Sequence, residues 1–482
     1  MLLLAALSFW IATRHMSHSL WYDESITDLI ARQDTLSDVA IAGARGHACP
    51  PLFFVVVHYA LHFRNNEAGM RLPSAVFGAL AIVAVFWLGQ ALADSLTGAL
   101  AALLFFLTPG VFRYFVDGNA YTLLALLAAL STLFLIRAIR SDRISDWLGY
   151  ALFAALGLAA HTFFAFYFVA QVLAGGYLRL STRRVSSASL RRFLTVTGAL
   201  CLVEVVWVVL FFHIGGGNRP VHFSRWLDFR TLVGIAAMYA GPLSVGYAVR
   251  LPLWVLLQSV GAAMFFIERR KAFWFVAILA ALPLTAIVLF LRATMPFVAY
   301  KYGLGVFPLA CILAAYSLKL RGARVVRACT FAAMASYLVA GAAFLATVNP
   351  TTFEFQDWKG PSRYLTERAT DGDAIVLSSD YGVPCLGYYY KGPARLHGSG
   401  RGEEASIASR LLSEPGASDR AVWVVVLSLG NEDSLVARYT ESGKRGLDAQ
   451  TQIVLAALKE HGLSASVAAR FHRVNVLLVR PA

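Results

Sequence analysis

The adjacent carboxylates Asp23 and Glu24 are the first side chains in the sequence whose type and position could do chemistry. They directly follow an apolar run and the aromatic residues Trp21 and Tyr22. Charged residues at a membrane boundary are usually lysine and arginine, whereas acidic residues contribute little to the orientation of a span. The pair therefore suggests catalysis, with capping of a helix that begins near Ser25 as the alternative.

The composition indicates an integral membrane protein. Of the 482 residues, 58% are hydrophobic and only 15% are charged, which is more apolar surface than a soluble chain can bury. The formal net charge of +14 comes from short basic clusters between apolar runs. Such clusters are typical of cytoplasmic loops and argue against a nucleic-acid-binding stripe. The five cysteines lack the spacing of a zinc ribbon or a disulfide scaffold.

Eleven apolar segments are predicted to cross the membrane, most of them close to the ~20 residues that span a hydrocarbon core. They cover roughly 2–20, 72–92, 96–113, 119–137, 147–160, 162–178, 193–213, 247–267, 273–291, 302–318 and 325–347. Four basic loops follow the spans that end near 137, 178, 267 and 318. One outward and one inward crossing separate each consecutive pair, so all four loops can be cytoplasmic together.

This topology divides the chain into two predicted domains. Residues 1–348 form a transmembrane catalytic domain, in which 21–71 is an external loop that carries interfacial amphipathic helices. Charged and polar residues return near Thr351, so 349–482 is predicted to be a soluble α/β domain outside the membrane. Predicted strands at 373–377, 421–427 and 474–479 alternate there with predicted helices at 357–369, 404–413 and 447–461.

Several polar motifs converge on the predicted outer face. The stretch from Arg113 to Tyr121, which includes Asp117, lies at the outer end of a pair of spans. Pro50-Pro51 and the Arg71–Ser74 stretch fall on the same side. Polar motifs that gather at one face of a helical bundle are typical of a cleft.

The order of these motifs resembles the GT-C membrane glycosyltransferases. It runs W-Y-D-E at 21–24, P-P-L-F-F at 50–54, R-L-P-S-A-x-x-G at 71–78 and T-P-x-x-x-R-Y-x-x-D-G-N-A-Y-T-L at 108–123. It is most similar to the bacterial branch of protein O-mannosyltransferase-like and lipid A aminoarabinose transferase-like enzymes. Tyr300-Lys301-Tyr302 followed by Pro308 resembles a late element of that branch, and Asp357-Trp358 resembles its extracytoplasmic domain.

The resemblance implies an inverting glycosyltransferase that uses a polyprenyl-phosphate sugar outside the cytoplasmic membrane. Asp23 would then take the proton of the acceptor hydroxyl, with Glu24 in support. The leaving phosphate needs cations, and the candidates are Lys301, Arg113, Arg219 and Arg292. Asp117, Tyr121, His47 and Tyr302 are expected to line the substrate cleft. Asp23 and Asp117 could also hold a divalent cation, Mg²⁺ or Mn²⁺, although no Asp-x-Asp spacing requires one.

Two departures from the family pattern weaken parts of this assignment. Cys49 stands before the two prolines where relatives often have histidine or lysine, and His47 could substitute for that residue. Asn119-Ala120 replaces an arginine, so phosphate contacts there are in doubt. His161 could line the cleft, but a histidine that only belongs to a turn is the better interpretation.

Two other functions remain open at this point. A lipid or solute transporter, or flippase, would carry ionisable residues near the membrane midplane, and only Glu204 is clearly there. An O-antigen ligase-like transferase that uses lipid diphosphates would have an external loop rich in arginine and histidine.

The sequence leaves open the sugar and the acceptor, which could be a protein, lipid A or a glycan. It predicts membrane lipid as a partner, no nucleic acid, and a multi-pass position in the inner membrane with the active site and the C-terminal domain on the periplasmic side.

Overall fold

The computed structural model describes residues 1–46, 49–181, 187–215, 247–294, 300–322, 324–349, 356–380, 382–400, 402–414, 420–427 and 449–481. Contacts divide the chain into two compact units. The first, here called the membrane unit, comprises Met1–Met16 and Ile30–Val348. The second, here called the C-terminal unit, comprises Ser17–Leu29 and Asn349–Ala482. The segment that carries Asp23 and Glu24 therefore groups with the C-terminal residues, which the sequence did not indicate.

The membrane unit is built of helices. They are α1 Leu2–Arg14, α2 Tyr22–Ala31 (whose first turns belong to the C-terminal unit), α3 Leu36–Gly46, α4 Leu52–Phe63, α5 Glu67–Leu92, α6 Ser95–Leu107, α7 Pro109–Phe112, α8 Tyr121–Ser141, α9 Ile144–Ala160, α10 Phe164–Leu180, α11 Ser187–Gly215, α12 Tyr247–Glu268, α13 Arg270–Thr294, α14 Phe307–Tyr316 and α15 Arg324–Thr347. Short 3-10 turns cover Arg113–Val116, Tyr300–Gly303 and Ser317–Lys319.

Six helices in the described residues are long and apolar enough to cross a membrane: α5, α8, α11, α12, α13 and α15. A seventh crossing is possible where α6 continues into α7 and the following 3-10 turn after a bend of 66°. Pro109 begins α7, and because proline lacks an N–H donor it favours a break at this point. Four of the predicted eleven spans correspond to apolar helices of 10–17 residues, namely α1, α9, α10 and the segment Phe307–Lys319. The predicted polytopic helical architecture is present in the described residues, and the total of eleven crossings stays a prediction.

Helices α5 and α6 approach unusually closely. A Cβ atom on Gly89 of α5 would lie 2.7 Å from the Cα atom of Gly98 on α6. Only glycine allows two helix backbones to come this near, a contact that helices in lipid use because apolar side chains alone drive little association there. Helix α5 also packs against α1, α4 and α8. It is therefore the central support of the membrane unit.

The predicted basic loops meet at one end of the membrane unit. Lys319 forms an ion pair of 2.9 Å with Asp94, in the turn between α5 and α6. Arg192 pairs with Asp142 at 2.7 Å, and Arg140 donates to the carbonyl oxygen of residue 91 at 2.8 Å. These contacts join loops that the charge pattern assigned to one side of the membrane.

The C-terminal unit contains a five-stranded sheet in the order β2-β1-β3-β5-β4. Its elements are α16 Lys359–Arg368, β1 Ala374–Leu377, α17 Gly382–Tyr389, β2 Arg395–Gly398, α18 Glu404–Ser413, β3 Val422–Leu427, α19 Ala449–Glu460, β4 Leu463–Phe471 and β5 Val474–Pro481. Strands β2, β1 and β3 are parallel, and β3, β5 and β4 are antiparallel. The predicted α/β character is present.

Alternate residues of the central strands fill two separate cores. Ile375 and Trp423 belong to a cluster with Trp358 and Leu386, against which Tyr22 packs. On the opposite face, the buried residues of β1 and β3 contact apolar residues from α18 and α19. The sheet is therefore covered by helices on both faces, as expected for strands with continuous apolar runs.

Asp373, immediately before β1, ties three backbone and side-chain donors together. Its carboxylate accepts hydrogen bonds from the N–H groups of Thr370 and Ala421, each at 2.8 Å, and from the Trp423 indole at 3.2 Å.

Asp373→Ala should lower the free energy of unfolding of the C-terminal unit by about 2–4 kcal/mol, because three donors lose a charged acceptor. Limited proteolysis of the full chain across a temperature series measures this. The exposed neighbour is the control, since Asp371→Ala should change the midpoint little. Equal midpoints for the two variants would contradict the assignment.

Candidate active site

Helix α2 begins with the two carboxylates in its first turn. The Trp21 N–H donates to Glu24 Oε2 at 3.3 Å, which is one half of a capping box. Glu24 is fully buried (0% exposed), whereas Asp23 is partly exposed. The helix starts at Tyr22, so a helix that begins near Ser25 with Asp23 as its cap is not what forms. Glu24 has the capping role.

The carboxylate turn, defined here as residues 20–25, lies beside a buried thiol. Ser25 Oγ is 3.1 Å from Cys385 Sγ on α17. Burial raises the pKa of Cys385 to about 12, and the negative charges of Glu24 and Asp23 add to this effect. The thiol is therefore neutral at physiological pH. It adds no third negative charge next to the two carboxylates.

A cation in the membrane unit lies among aromatic rings. Lys301 is in the 3-10 turn Tyr300–Gly303. Its Nζ atom is 5.6 Å from the ring centroid of Tyr121 and 5.4 Å from that of Tyr302. Both distances are within the range of a cation–π contact. The structure therefore brings together three of the predicted site residues.

Helix α10 holds the turn that carries Lys301. Tyr167 Oη donates to the carbonyl oxygen of Tyr302 at 2.9 Å. The ring of Phe163 is 4.5 Å from that of Tyr302, and His161 is 6.1 Å away. A Cβ atom at Gly305 would lie 2.8 Å from the Tyr167 ring, so a glycine is needed for this close approach. His161 is buried in this aromatic group.

Two motifs of the sequence meet in the membrane unit around Asn119. The Asn119 side-chain amide donates to Asp117 Oδ1 at 2.7 Å, and the Asn119 backbone carbonyl oxygen accepts from Ser74 Oγ at 3.0 Å. Thr122 Oγ1 donates back to the Ser74 carbonyl at 2.9 Å. Asp117 is only 4% exposed. The polar stretch before α8 is therefore bound to α5, and it fixes the start of the helix that carries Tyr121.

The remaining predicted site residues lie in other elements or outside the described residues. Arg113 begins a 3-10 turn and is partly exposed. Arg292 is near the end of α13, and its side chain lies outside the described residues. His47 and Arg219 also lie outside the described residues. Asp23 and Glu24 belong to the C-terminal unit.

Within the described ranges, no three histidine, cysteine, aspartate or glutamate side chains are placed to hold a metal ion. Asp117 Oδ1 accepts a hydrogen bond from the Asn119 side-chain amide. The divalent cation predicted from the sequence at Asp23 and Asp117 stays a prediction.

Tyr167 and Cys385 were not found by sequence reasoning. Tyr167 stands in an apolar span, and a tyrosine hydroxyl in such a setting usually has a hydrogen-bond partner. The sequence therefore indicated that the Tyr167 hydroxyl has a partner, but it could not identify Tyr302 as that partner. The contact of Cys385 with Ser25 gave no signal in the sequence, because it joins residues 360 positions apart.

The raised pKa of Cys385 predicts an unusual pH dependence of alkylation. Only the thiolate reacts, so the rate at Cys385 should rise about tenfold per pH unit from pH 7 to 9 without levelling off, since the pKa near 12 lies above this range. Mass spectrometry of the modified peptides measures the rate, with the half-buried Cys49, which lies outside the candidate spans, as a more accessible internal reference. A plateau below pH 9 would show that the pKa is not raised.

Comparisons with known proteins support the motif-based prediction. Residues 48–209 match the model of the dolichyl-phosphate-mannose-protein mannosyltransferase family. No curated protein sequence matches the chain.

Solved structures match the chain over nearly its whole length. ArnT from Cupriavidus metallidurans in the apo state is 14% identical, with 99% of this chain and 97% of that chain covered and a TM-score of 0.57. The same protein bound to undecaprenyl phosphate is 13% identical over the same shares, with a TM-score of 0.54. The arabinofuranosyltransferase AftD from Mycobacteria is 16% identical, with 98% of this chain but 39% of that chain covered and a TM-score of 0.53. The fold of the chain is therefore similar to that of these membrane glycosyltransferases, and the family model over residues 48–209 agrees with the resemblance to the GT-C superfamily that the motif order indicated.

Proposed function

We propose that the chain transfers a sugar from a polyprenyl-phosphate donor to an acceptor hydroxyl on the outer side of the cytoplasmic membrane. The observation that carries this proposal is the Lys301 ammonium group held against Tyr121 and Tyr302. A cation fixed at the end of a helical bundle suits the phosphate of a lipid whose tail lies between the helices. The likeness to ArnT bound to undecaprenyl phosphate supports the same class of donor.

Lys301 would stabilise the leaving group. When the bond between the anomeric carbon and the phosphate oxygen breaks, negative charge develops on that oxygen, and a positioned cation lowers the energy of this state. The lysine is held by Tyr302, which accepts the Tyr167 hydrogen bond. Because the turn is fixed in advance, little reorganisation accompanies the reaction. Arg113, Arg219 and Arg292 remain further candidates for contacts with the phosphate.

Asp23 would act as the general base. The acceptor oxygen forms a bond to the anomeric carbon from the side opposite the phosphate, the acceptor O–H proton passes to the Asp23 carboxylate, and polyprenyl phosphate leaves. This single displacement inverts the anomeric configuration. Glu24 is buried and accepts the Trp21 N–H. We therefore assign Glu24 a supporting role: it holds the turn in which Asp23 accepts the proton.

The acceptor class is left to experiment. A protein, lipid A or a glycan would each offer a nucleophilic hydroxyl. We place the protein in the inner membrane, with the site and the C-terminal unit facing the periplasm, because the basic loops that meet at one end of the membrane unit have the composition of cytoplasmic loops.

Replacing the proposed base should abolish most transfer. Asp23→Asn keeps the shape of the side chain but cannot take a proton, so kcat should fall about 10²- to 10⁴-fold. The assay follows radiolabelled sugar from polyprenyl phosphates into membrane acceptors. Asp38→Asn, at an exposed first-turn aspartate of α3, is the matched control and should keep full activity. Undiminished transfer by a stably folded Asp23→Asn variant would rule out Asp23 as the base. If the wild type transfers nothing from a broad panel of lipid donors, a transporter becomes the better hypothesis.

Removing the Lys301 charge should also slow transfer, by about 10²- to 10³-fold in kcat/KM. Lys301→Gln is compared with Lys459→Gln, at an exposed lysine of α19, in the same assay at saturating acceptor. The control should be unaffected. Equal activity of the two variants would show that Lys301 does not contribute to the site.

A further inference from the structure

The segment with the two carboxylates leaves the membrane unit and returns to it within a few turns. The chain passes from Met16 into the C-terminal unit and rejoins the membrane unit at Ile30. An isolated helix of this length is marginal in water, so the conformation of its first turn depends on neighbouring groups. Those neighbours, within the C-terminal unit, come from residues more than 300 positions later in the chain.

The first set of contacts precedes α2. Ser19 Oγ accepts two hydrogen bonds, from the N–H groups of Trp358 at 2.9 Å and Lys359 at 3.1 Å. Lys359 Nζ in turn donates to the carbonyl oxygen of Ser17 at 2.7 Å. Both Ser19 and Trp358 are buried. The residues that lead into α2 are therefore bound to the start of α16.

The second set of contacts brackets Asp23. The Leu20 N–H donates to Tyr389 Oη at 2.9 Å, and Ser25 Oγ is 3.1 Å from Cys385 Sγ. Tyr389 and Cys385 are one helical turn apart on α17, so one face of that helix contacts the turn both before and after the carboxylates. Tyr389 is itself restrained, because Lys359 Nζ lies 5.5 Å from its ring centroid.

We propose that Tyr389 is a positioning residue for the Asp23 carboxylate, and that the C-terminal unit contributes to sugar transfer by fixing the carboxylate turn. This inference rests on the proposed function, since it assumes that Asp23 takes the acceptor proton. Tyr389 touches the Leu20 backbone and has no role as a base. Its hydroxyl accepts the Leu20 N–H just before α2, and Cys385 contacts Ser25 after Asp23 in the first turn of that helix. The two residues therefore hold the chain on both sides of Asp23. A misplaced base lowers the rate of the chemical step while donor binding in the membrane unit is unchanged.

The test compares Tyr389→Phe with Tyr364→Phe in the full-length protein. Each variant loses one tyrosine hydroxyl bonded to a backbone group within the C-terminal unit, but Tyr364 donates to the carbonyl oxygen of Ala468, away from the carboxylate turn. For Tyr389→Phe we expect kcat to fall about two- to tenfold, the effect of one hydrogen bond, with the KM for the polyprenyl-phosphate sugar unchanged. Alkylation of Cys385 should also become faster, because the turn that covers it is loosened.

Three results would overturn the inference. These are unchanged kcat in Tyr389→Phe, an equal loss in Tyr364→Phe, which would indicate general destabilisation, and a rise in KM with no fall in kcat. Failure of the proposed function is separate, since it would appear as absence of transfer by the wild type. In that case the alkylation rate still tests the contact. A rate that is equal in the wild type and in Tyr389→Phe would show that Tyr389 does not hold the turn.

Discussion

The rest of the membrane unit's site depends on the placement of one ammonium group. A charged side chain near hydrocarbon is costly unless nearby groups compensate for the loss of water. Lys301 is compensated by the faces of Tyr121 and Tyr302, and each ring needs its own support. Tyr302 is held by the Tyr167 hydroxyl. Tyr121 begins α8, and the start of that helix is fixed by the hydrogen bonds that Asn119 and Thr122 form with Ser74.

The carboxylates depend on a different set of contacts. Glu24 is used to cap α2, and the turn around Asp23 is bonded to α16 and α17 of the C-terminal unit. The proposed reaction needs stabilisation of the leaving phosphate and removal of a proton. The contacts around Lys301 support the first function, and the contacts around Asp23 support the second. Each arrangement can be disturbed by mutation without the other.

The order of the motifs predicted the helical fold that the solved glycosyltransferase structures share, and it selected Lys301, Tyr302 and Tyr121, which do lie together. Hydrophobic runs also gave most of the helices, because apolar periodicity is a local property of the chain. Strands β2 and β4 were missed. The edge strand β2 carries Arg395 and His397 in only four residues, and β4 is rich in alanine and serine, so neither shows the apolar run of β1 or β3.

The role of Glu24 and the contacts of Cys385 and Tyr389 could not be predicted in this way. Capping depends on which residue begins the helix, and the first turn of a helix is poorly defined by pattern alone. The bond between Leu20 and Tyr389 joins residues 369 positions apart, and no local signal encodes such a pairing. These long-range contacts decide how the turn is held, so they required the structure.

The most direct test of the division between donor binding and proton removal is native mass spectrometry of the purified protein with undecaprenyl phosphate. The account predicts that the wild type and Asp23→Asn bind this lipid equally, because Asp23 acts on the acceptor. It predicts that Lys301→Gln binds it about tenfold or more weakly, because the charge that faces the phosphate is lost. Equal binding by all three proteins, or loss of binding in Asp23→Asn alone, would contradict the account.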